Sequence, residues 1–195
     1  MRILSIEHKH ANVYLIGEQQ YVMYDCGWQD SFSVIRSALK AYDIQFEQVR
    51  GVLVSHFHPD HGGSLELLRQ HGIKPLVMEQ QLAHIDWLNG FFQQKKNDPN
   101  GDYVPFDTAG CVPLSLGAAN VMLAEWGIDG QVLYTPGHSA DSISLVVGDA
   151  AFVGDLPAFE VAEGYGESVV ACWLDLLACD IRLVYPAHGP CYEIG

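Results

Sequence analysis

The chain has 195 residues, 49% of them apolar, with 10 Lys and Arg against 24 Asp and Glu and a formal charge of −14. That length suits one domain with room for a sizeable core. The acidic balance and scattered cations disfavour a nucleic-acid partner, which needs a basic face, and no apolar run reaches the length of a membrane span.

Residues 1–7 read as a first strand. No basic stretch precedes a long apolar run there, so no secretory signal is expected. Apolar runs at 13–16 and 21–24 flank Gly17-Glu18-Gln19-Gln20 and predict a hairpin. Asp30 and Ser31 can cap a helix to about residue 42, with Phe32, Ile35, Ala38 and Leu39 on one face. Val52, Leu53 and Val54 form a buried strand ending at His56. The segment after it is expected to be a turn, because Pro59 and Gly62-Gly63 oppose a regular element.

A second helix is predicted over 64–71, stopped by Gly72. A short strand follows at 74–78, then a third helix from 79 to about 96, with a break at Asn89-Gly90. Residues 97–110 form a loop. Further strands are predicted at 112–114, 120–123, 131–135, 142–147 and 151–153, with a Gly148-Asp149 hairpin turn between the last two. A final helix at 167–179 turns Val169, Val170, Trp173, Leu174 and Leu177 inward, and a last strand covers 181–185. Strands thus fall into two sets, each followed by helices. Two sheets with helices outside them is the packing solution for such a pattern. The reading is of one domain, 1–195, with a helical insertion at about 79–110.

Five cysteines (Cys26, Cys111, Cys172, Cys179, Cys191) form no CxxC pair. An odd, unpaired set fits free thiols in a reducing, cytoplasmic setting.

The chemistry concentrates in His56-Phe57-His58-Pro59-Asp60-His61. Three imidazoles and a carboxylate this close compete for protons unless a cation holds them as neutral imidazole and ionised carboxylate. Three more candidates each follow an apolar strand at a Gly or Pro turn: His138, Asp155 and His188. Zinc takes about four ligands, and a catalytic site leaves one position open. Seven protein ligands therefore suit two divalent ions sharing a carboxylate and a water. Zinc is the first choice, and the mixed imidazole and carboxylate donors also admit iron or manganese.

This series, H-x-H-x-D-H at 56–61 followed by His138, Asp155 and His188, resembles the ligand series of the metallo-β-lactamase superfamily. The likeness runs from Tyr24-Asp25-Cys26-Gly27 to Pro186-Ala187-His188-Gly189. It implies an α/β, four-layer αββα sandwich with the metals at one edge between two sheets. It also implies roles: His56, His58 and His138 on one ion, Asp60, His61 and His188 on the other, and Asp155 bridging. Asp25 matches an early aspartate that supports the ligand loop, and a plain turn residue is its alternative.

The bridging Asp155 places the chain nearer the thioesterase and lactonase branches, including short type II glyoxalase-like hydrolases. The implied reaction is attack of a metal-bridging hydroxide on a small ester, thioester or lactone, with Asp60 and Asp155 able to take a proton in transit. Tyr165 can fill the place of the tyrosine that lactonases set beside the metals. Alternatives on the same fold are a non-haem iron oxidoreductase of the persulfide dioxygenase kind and a non-catalytic ligand sensor. Ile85, Trp87, Leu88, Phe91 and Phe92 read as core, as a lid, or as a homodimer contact. Lys95-Lys96 and Arg182 are the nearest candidates for gripping an anionic substrate, and a solvated surface is the simpler reading for them. His8, His10, His71 and His84 have no spacing that recommends a ligand role.

Overall fold

The structure, a computed structural model, describes residues 1–94, 103–109 and 111–194. Lys95-Lys96 and the turn-rich stretch at 97–101 lie outside the described residues.

Strands β1 (Arg2–His8), β2 (Ala11–Gly17) and β3 (Tyr21–Tyr24) form an antiparallel meander. Helix α1 (Ser31–Ala41) then crosses over, so β4 (Val49–Leu53) returns parallel to β3. Two short helices, α2 (Pro59–Gly62) and α3 (Leu65–Gln70), lead to β5 (Lys74–Leu76), again parallel. Helices α4 (Leu82–Gln94) and α5 (Leu116–Glu125) precede the second sheet. There β6 (Gly130–Tyr134), β7 (Ile143–Val147) and β8 (Ala150–Gly154) form another meander. Helices α6 (Ala162–Tyr165) and α7 (Glu167–Leu177) cross over to β9 (Leu183–Pro186), parallel to β8 and edged by β10 (Tyr192–Glu193). The described residues thus make two five-stranded sheets, ordered β1-β2-β3-β4-β5 and β10-β9-β8-β7-β6.

Period-2 alternation explains why these sheets take four layers. Along β2, Val13 and Leu15 pack with Ile35 and Leu39 of α1 and with Leu65, Ile85 and Leu88 beyond. Tyr14 and Ile16 face the other way, into the core between the sheets with Leu145 and Phe152. On β8, Ala151 and Val153 meet Val169, Trp173 and Leu176 of α7, while Ala150 and Phe152 return to the middle. Three apolar layers separate four layers of structure, which is the αββα sandwich.

Polar ties register the sheets against each other at one edge. Ile143 N–H donates to Ser55 O at 2.8 Å, and Asn12 N–H to Ala187 O at 2.8 Å. The hydroxyls of Tyr24 and Tyr14 donate to Ile143 O and Pro186 O. The edge so pinned carries the site.

Three local expectations are corrected. Residues 120–123, predicted as a strand, lie within α5. The run Asn120-Val121-Met122-Leu123 is too short for periodicity to decide, and the cap does: Ser115 accepts from Ala118 N–H at 3.2 Å. Ala119 and Leu123, four apart, then close the inter-sheet core. Residues 59–62 are a single helical turn rather than an irregular one, because Pro59 occupies its first position, where the missing N–H costs nothing. Helix α4 is unbroken at Asn89-Gly90. Asn89 is tied to Tyr103 and Phe106 through its side chain, and a Cβ at Gly90 would meet nothing within 4 Å.

Candidate metal centre

All seven candidate ligands reach the pinned edge just past a strand. His56 and His58 follow β4, and Asp60 and His61 ride on α2. His138, Asp155 and His188 follow β6, β8 and β9. Each tip is thus presented by a loop whose root is fixed in a sheet. Gly154 lets Asp155 approach: its φ of +57° lies in the left-handed region, and a Cβ there would sit 2.7 Å from Ser55 Cβ.

The side chains fall into two sets. In the first, His58 Nδ1 lies 2.9 Å from His56 Nε2 and 3.3 Å from His138 Nε2. Asp155 Oδ2 is 3.8 Å from His56 Nε2 and 3.6 Å from His138 Nε2. In the second, Asp60 lies 3.6 Å from His61 Nε2 and 3.3 Å from His188 Nε2. Within each set the ligand atoms lie within 4.8 Å of one another. Asp155 joins the two: its Oδ2 is 3.4 Å from His61 Nε2 and its Oδ1 is 3.3 Å from His188 Nε2.

These residues fit a pair of divalent cations. His61 Nε2 and Asp155 Oδ1 are buried with no hydrogen-bond partner among the described residues, a state that a cation relieves. Each of the two sets offers three or four nitrogen and oxygen donors of the kind zinc, iron or manganese takes. The nearby Cys26 thiol is engaged elsewhere, donating to His61 O at 3.0 Å.

The surrounding groups aim the rings. His61 Nδ1–H donates to Asp25 Oδ2 at 3.0 Å, and His188 Nδ1–H to His10 O at 2.6 Å, leaving both Nε2 atoms free to ligate. Asp25 Oδ1 accepts Ser55 N–H at 2.6 Å and Oδ2 accepts Ser55 Oγ–H at 3.0 Å. Ser55 Oγ in turn sits 3.0 Å from His56 Nδ1. Asp25 is 1% exposed with φ +61°, a left-handed position that aspartate tolerates. Its side-chain neighbours are Ser55 and His61, on either side of the ligand loop.

Electrostatics divides the cluster when no cation is bound. Burial pushes His56 well below the usual imidazole range, and its imidazole neighbours push the same way. Burial and His138 lower His58. Burial opposes charge on His61 too, but Asp25 and Asp155 outweigh it and raise it to about 10. The hydrogen bond to Asp60 raises His188 to about 9. Burial would raise Asp60, yet His188 and His61 hold it at about 2. Burial acts likewise on Asp155, and His61 holds it below the usual carboxylate range.

His61 and His188 therefore keep protons at neutral pH that a cation must displace. Zinc titrated into the metal-free protein near pH ~7.5 is expected to release protons and to bind more tightly as pH rises toward these two values. Calorimetry in buffers of different ionisation enthalpy measures this, and heats that do not depend on the buffer would contradict it.

Beside the cluster opens a cavity of about 480 Å³ lined by His138, Asp155 and His188 and by Leu156, Ala158, Pro186 and Tyr192. Sequence reasoning missed Leu156, Ala158 and Tyr192, which come from the segment after β8 and from β10; the one available signal was that Tyr192 lies four residues past His188. Tyr165 ends α6 at 64% exposure and is not among the lining residues. The aromatic run on α4 splits. Ile85, Leu88 and Phe92 are core, whereas Trp87 is 53% exposed and its ring lies 5.1 Å from that of His58. Arg182, just before β9, stands at the strand end opposite His188.

No described helix is long and apolar enough to cross a membrane. The family model of the metallo-β-lactamase superfamily matches residues 8–188. A probable metallo-hydrolase, YqjP of Bacillus subtilis, is 26% identical over 68% of this chain and 47% of its own length. A hydroxyacylglutathione hydrolase of Shewanella halifaxensis is 29% identical over 54% of this chain and 32% of its own. The chain thus spans less than half the length of these two relatives. The solved structure of TTHA1623 in a di-iron-bound form superposes with a TM-score of 0.70 at 20% identity, covering 99% of this chain and 94% of that one. With a family match across most of its length and the same sandwich, the chain belongs to the metallo-β-lactamase superfamily.

Proposed function

We propose that this chain is a two-ion metallohydrolase acting on a small-molecule ester, thioester or lactone, with residues 1–195 as one domain and a helical insertion at about 79–110. One observation carries the reading: a single carboxylate, Asp155, stands between the two ligand sets, with Oδ2 near both His138 and His61 and Oδ1 near His188, and lines the adjoining cavity. His56, His58, His138 and Asp155 would hold one ion, and Asp60, His61 and His188 the other. Bound divalent ions lower the pKa of water toward ~7 and polarise a carbonyl. The chain's own residues then do the rest. Asp60 and Asp155, both held ionised, take up a proton in transit. Leu156, Ala158 and Tyr192 exclude water from one side of the substrate. Zinc is the first choice of metal, and the di-iron form of the neighbouring fold supports iron as the second.

The walls favour an uncharged substrate. Among the described residues no Lys or Arg lines the cavity. Arg50, Lys74 and Arg182 stand at the starts of β4, β5 and β9, away from the ligand ends of β4 and β9. Lys9 is paired with Asp30. A glutathione thioester carries carboxylates that would find no Lys or Arg among the described wall residues. With the acyl group held constant, a neutral thioester should be turned over with the higher kcat/KM, and added salt should help only the anionic one. Elemental analysis of freshly purified protein, followed by assay on that pair, acyl lactones and aryl esters, tests both parts. Fewer than two ions per chain, or no turnover of any of them, defeats the hydrolase reading. A preference for the glutathione thioester defeats only the charge argument.

A further inference from the structure

A buried carboxylate outside both ligand sets sits between the two loops that deliver the first set. Asp141, in the connection from β6 to β7, is 2% exposed. Its Oδ2 accepts Phe57 N–H at 2.7 Å, and its Oδ1 accepts Ser139 Oγ–H at 2.7 Å. Phe57 stands between His56 and His58, and Ser139 follows His138. One side chain therefore grips both loops within a residue of three ligands.

A third element fixes the grip. Gln81 is fully buried, and its Nε2 donates to Val54 O at 2.8 Å and to Asp141 O at 3.2 Å. Its Oε1 accepts Met78 N–H at 3.1 Å. His84 Nδ1 lies 3.6 Å from Asp141 Oδ1 and faces the carboxylate from α4. The main-chain tie between the loops, Ile143 N–H to Ser55 O, lies short of the ligand tips, so the spacing of the tips falls to Asp141. The second set is held by other means: His61 by Asp25, and the His188 loop by His10, Asn12 and Tyr14.

The geometry points to Asp141 as a positioning residue that sets the distance between His138 and the His56–His58 pair, and so tunes one metal position and not the other. This rests on the two-ion reading. A carboxylate accepting a main-chain N–H and a hydroxyl makes charge-assisted bonds with fixed directions, which is what orients a ligand loop.

The test is zinc binding to metal-free wild type, Asp141→Ala, Asp141→Asn and Ser139→Ala, read by equilibrium dialysis with elemental analysis. Wild type should take two ions. Asp141→Ala should keep one at wild-type affinity and weaken the other about 10- to 100-fold, the usual effect of losing a group that orients a ligand. Asp141→Asn should recover most of the loss, since its Oδ1 can still accept Phe57 N–H and its amide can donate to Ser139 Oγ. Ser139→Ala removes one contact only. It should weaken the same ion by less, and it serves if Asp141→Ala fails to fold. Equal weakening of both ions, two ions held by every variant at wild-type affinity, or an Asn variant no better than Ala overturns the assignment. Wild type that binds fewer than two zinc ions overturns the two-ion reading and this inference with it.

Discussion

Asp155→Ala should abolish turnover and empty both metal positions, while His58→Ala should abolish turnover and empty one. The difference follows from placement. Among the described ligands, those within hydrogen-bond reach of His58 are His56 at 2.9 Å and His138 at 3.3 Å, both of the first set. Asp155 stands 3.6 Å from His138, 3.4 Å from His61 and 3.3 Å from His188, so its loss leaves both sets short of a negative donor. A cation so placed contributes several kcal/mol of charge stabilisation. Its loss at about 4 kcal/mol corresponds to a rate reduction of ~10³-fold. The fold should survive both changes, because Asp155 and His58 lie at the open edge and not in any of the three apolar layers. Metal content by elemental analysis, kcat/KM and far-ultraviolet circular dichroism check the three parts. Full activity in either variant, or two ions retained by Asp155→Ala, would contradict the role given to that side chain.

The sandwich and the gathering of the seven candidate side chains were legible in the sequence for one reason: both are written as local patterns. Apolar runs such as 13–16 and 151–153 mark strands buried on both faces. The six-residue cluster at 56–61 is dense enough to stand out, and each later ligand closes an apolar run at a Gly or Pro. What depended on distant partners was not legible. Asn120-Val121-Met122-Leu123 reads as a strand until Ser115 caps a helix over it and the inter-sheet core accepts Ala119 and Leu123. Asn89-Gly90 reads as a break until Tyr103 and Phe106 hold Asn89 in the helix. Asp141 carries no signal in the sequence, and its use appears only when Phe57, 84 residues earlier, donates to it. The cavity walls Leu156 and Ala158 carry no motif, and Tyr192 offers only its nearness in sequence to His188, since apolar contact between separate segments leaves little spacing to read.

Asp25→Ala and Asp25→Asn should separate two duties of one carboxylate. Alanine removes the acceptor of Ser55 N–H, Ser55 Oγ–H and His61 Nδ1–H, and places a residue ill suited to φ +61°. Breaking a buried pair of this kind costs about 3–5 kcal/mol, or a fall in Tm on the order of 10 °C for a chain of this size. Asparagine keeps the volume, tolerates the left-handed backbone and retains one acceptor for Ser55 N–H, so its Tm should stay close to wild type. Its amide, however, presents N–H to His61 Nδ1, which drives the imidazole proton onto Nε2, the atom that must ligate. Metal affinity at the position of Asp60, His61 and His188 should therefore fall about 10- to 100-fold in a protein that still folds. The metal-free forms carry a second readout. Burial opposes charge on His61, and Asp25 with Asp155 overcomes it, raising the folded value to about 10 against about 6.5 unfolded. A raised value makes the folded state bind the extra proton, so this pair stabilises the metal-free protein fully below about pH 6.5, and the benefit is lost as pH climbs toward that folded value. Denaturant melts of the metal-free wild type should weaken across that window, and those of Asp25→Asn should weaken less, what remains coming from Asp155 on His61 and from the raised His188. An Asn variant that binds two ions as wild type does and keeps the same pH dependence would show that something other than Asp25 sets the His61 tautomer.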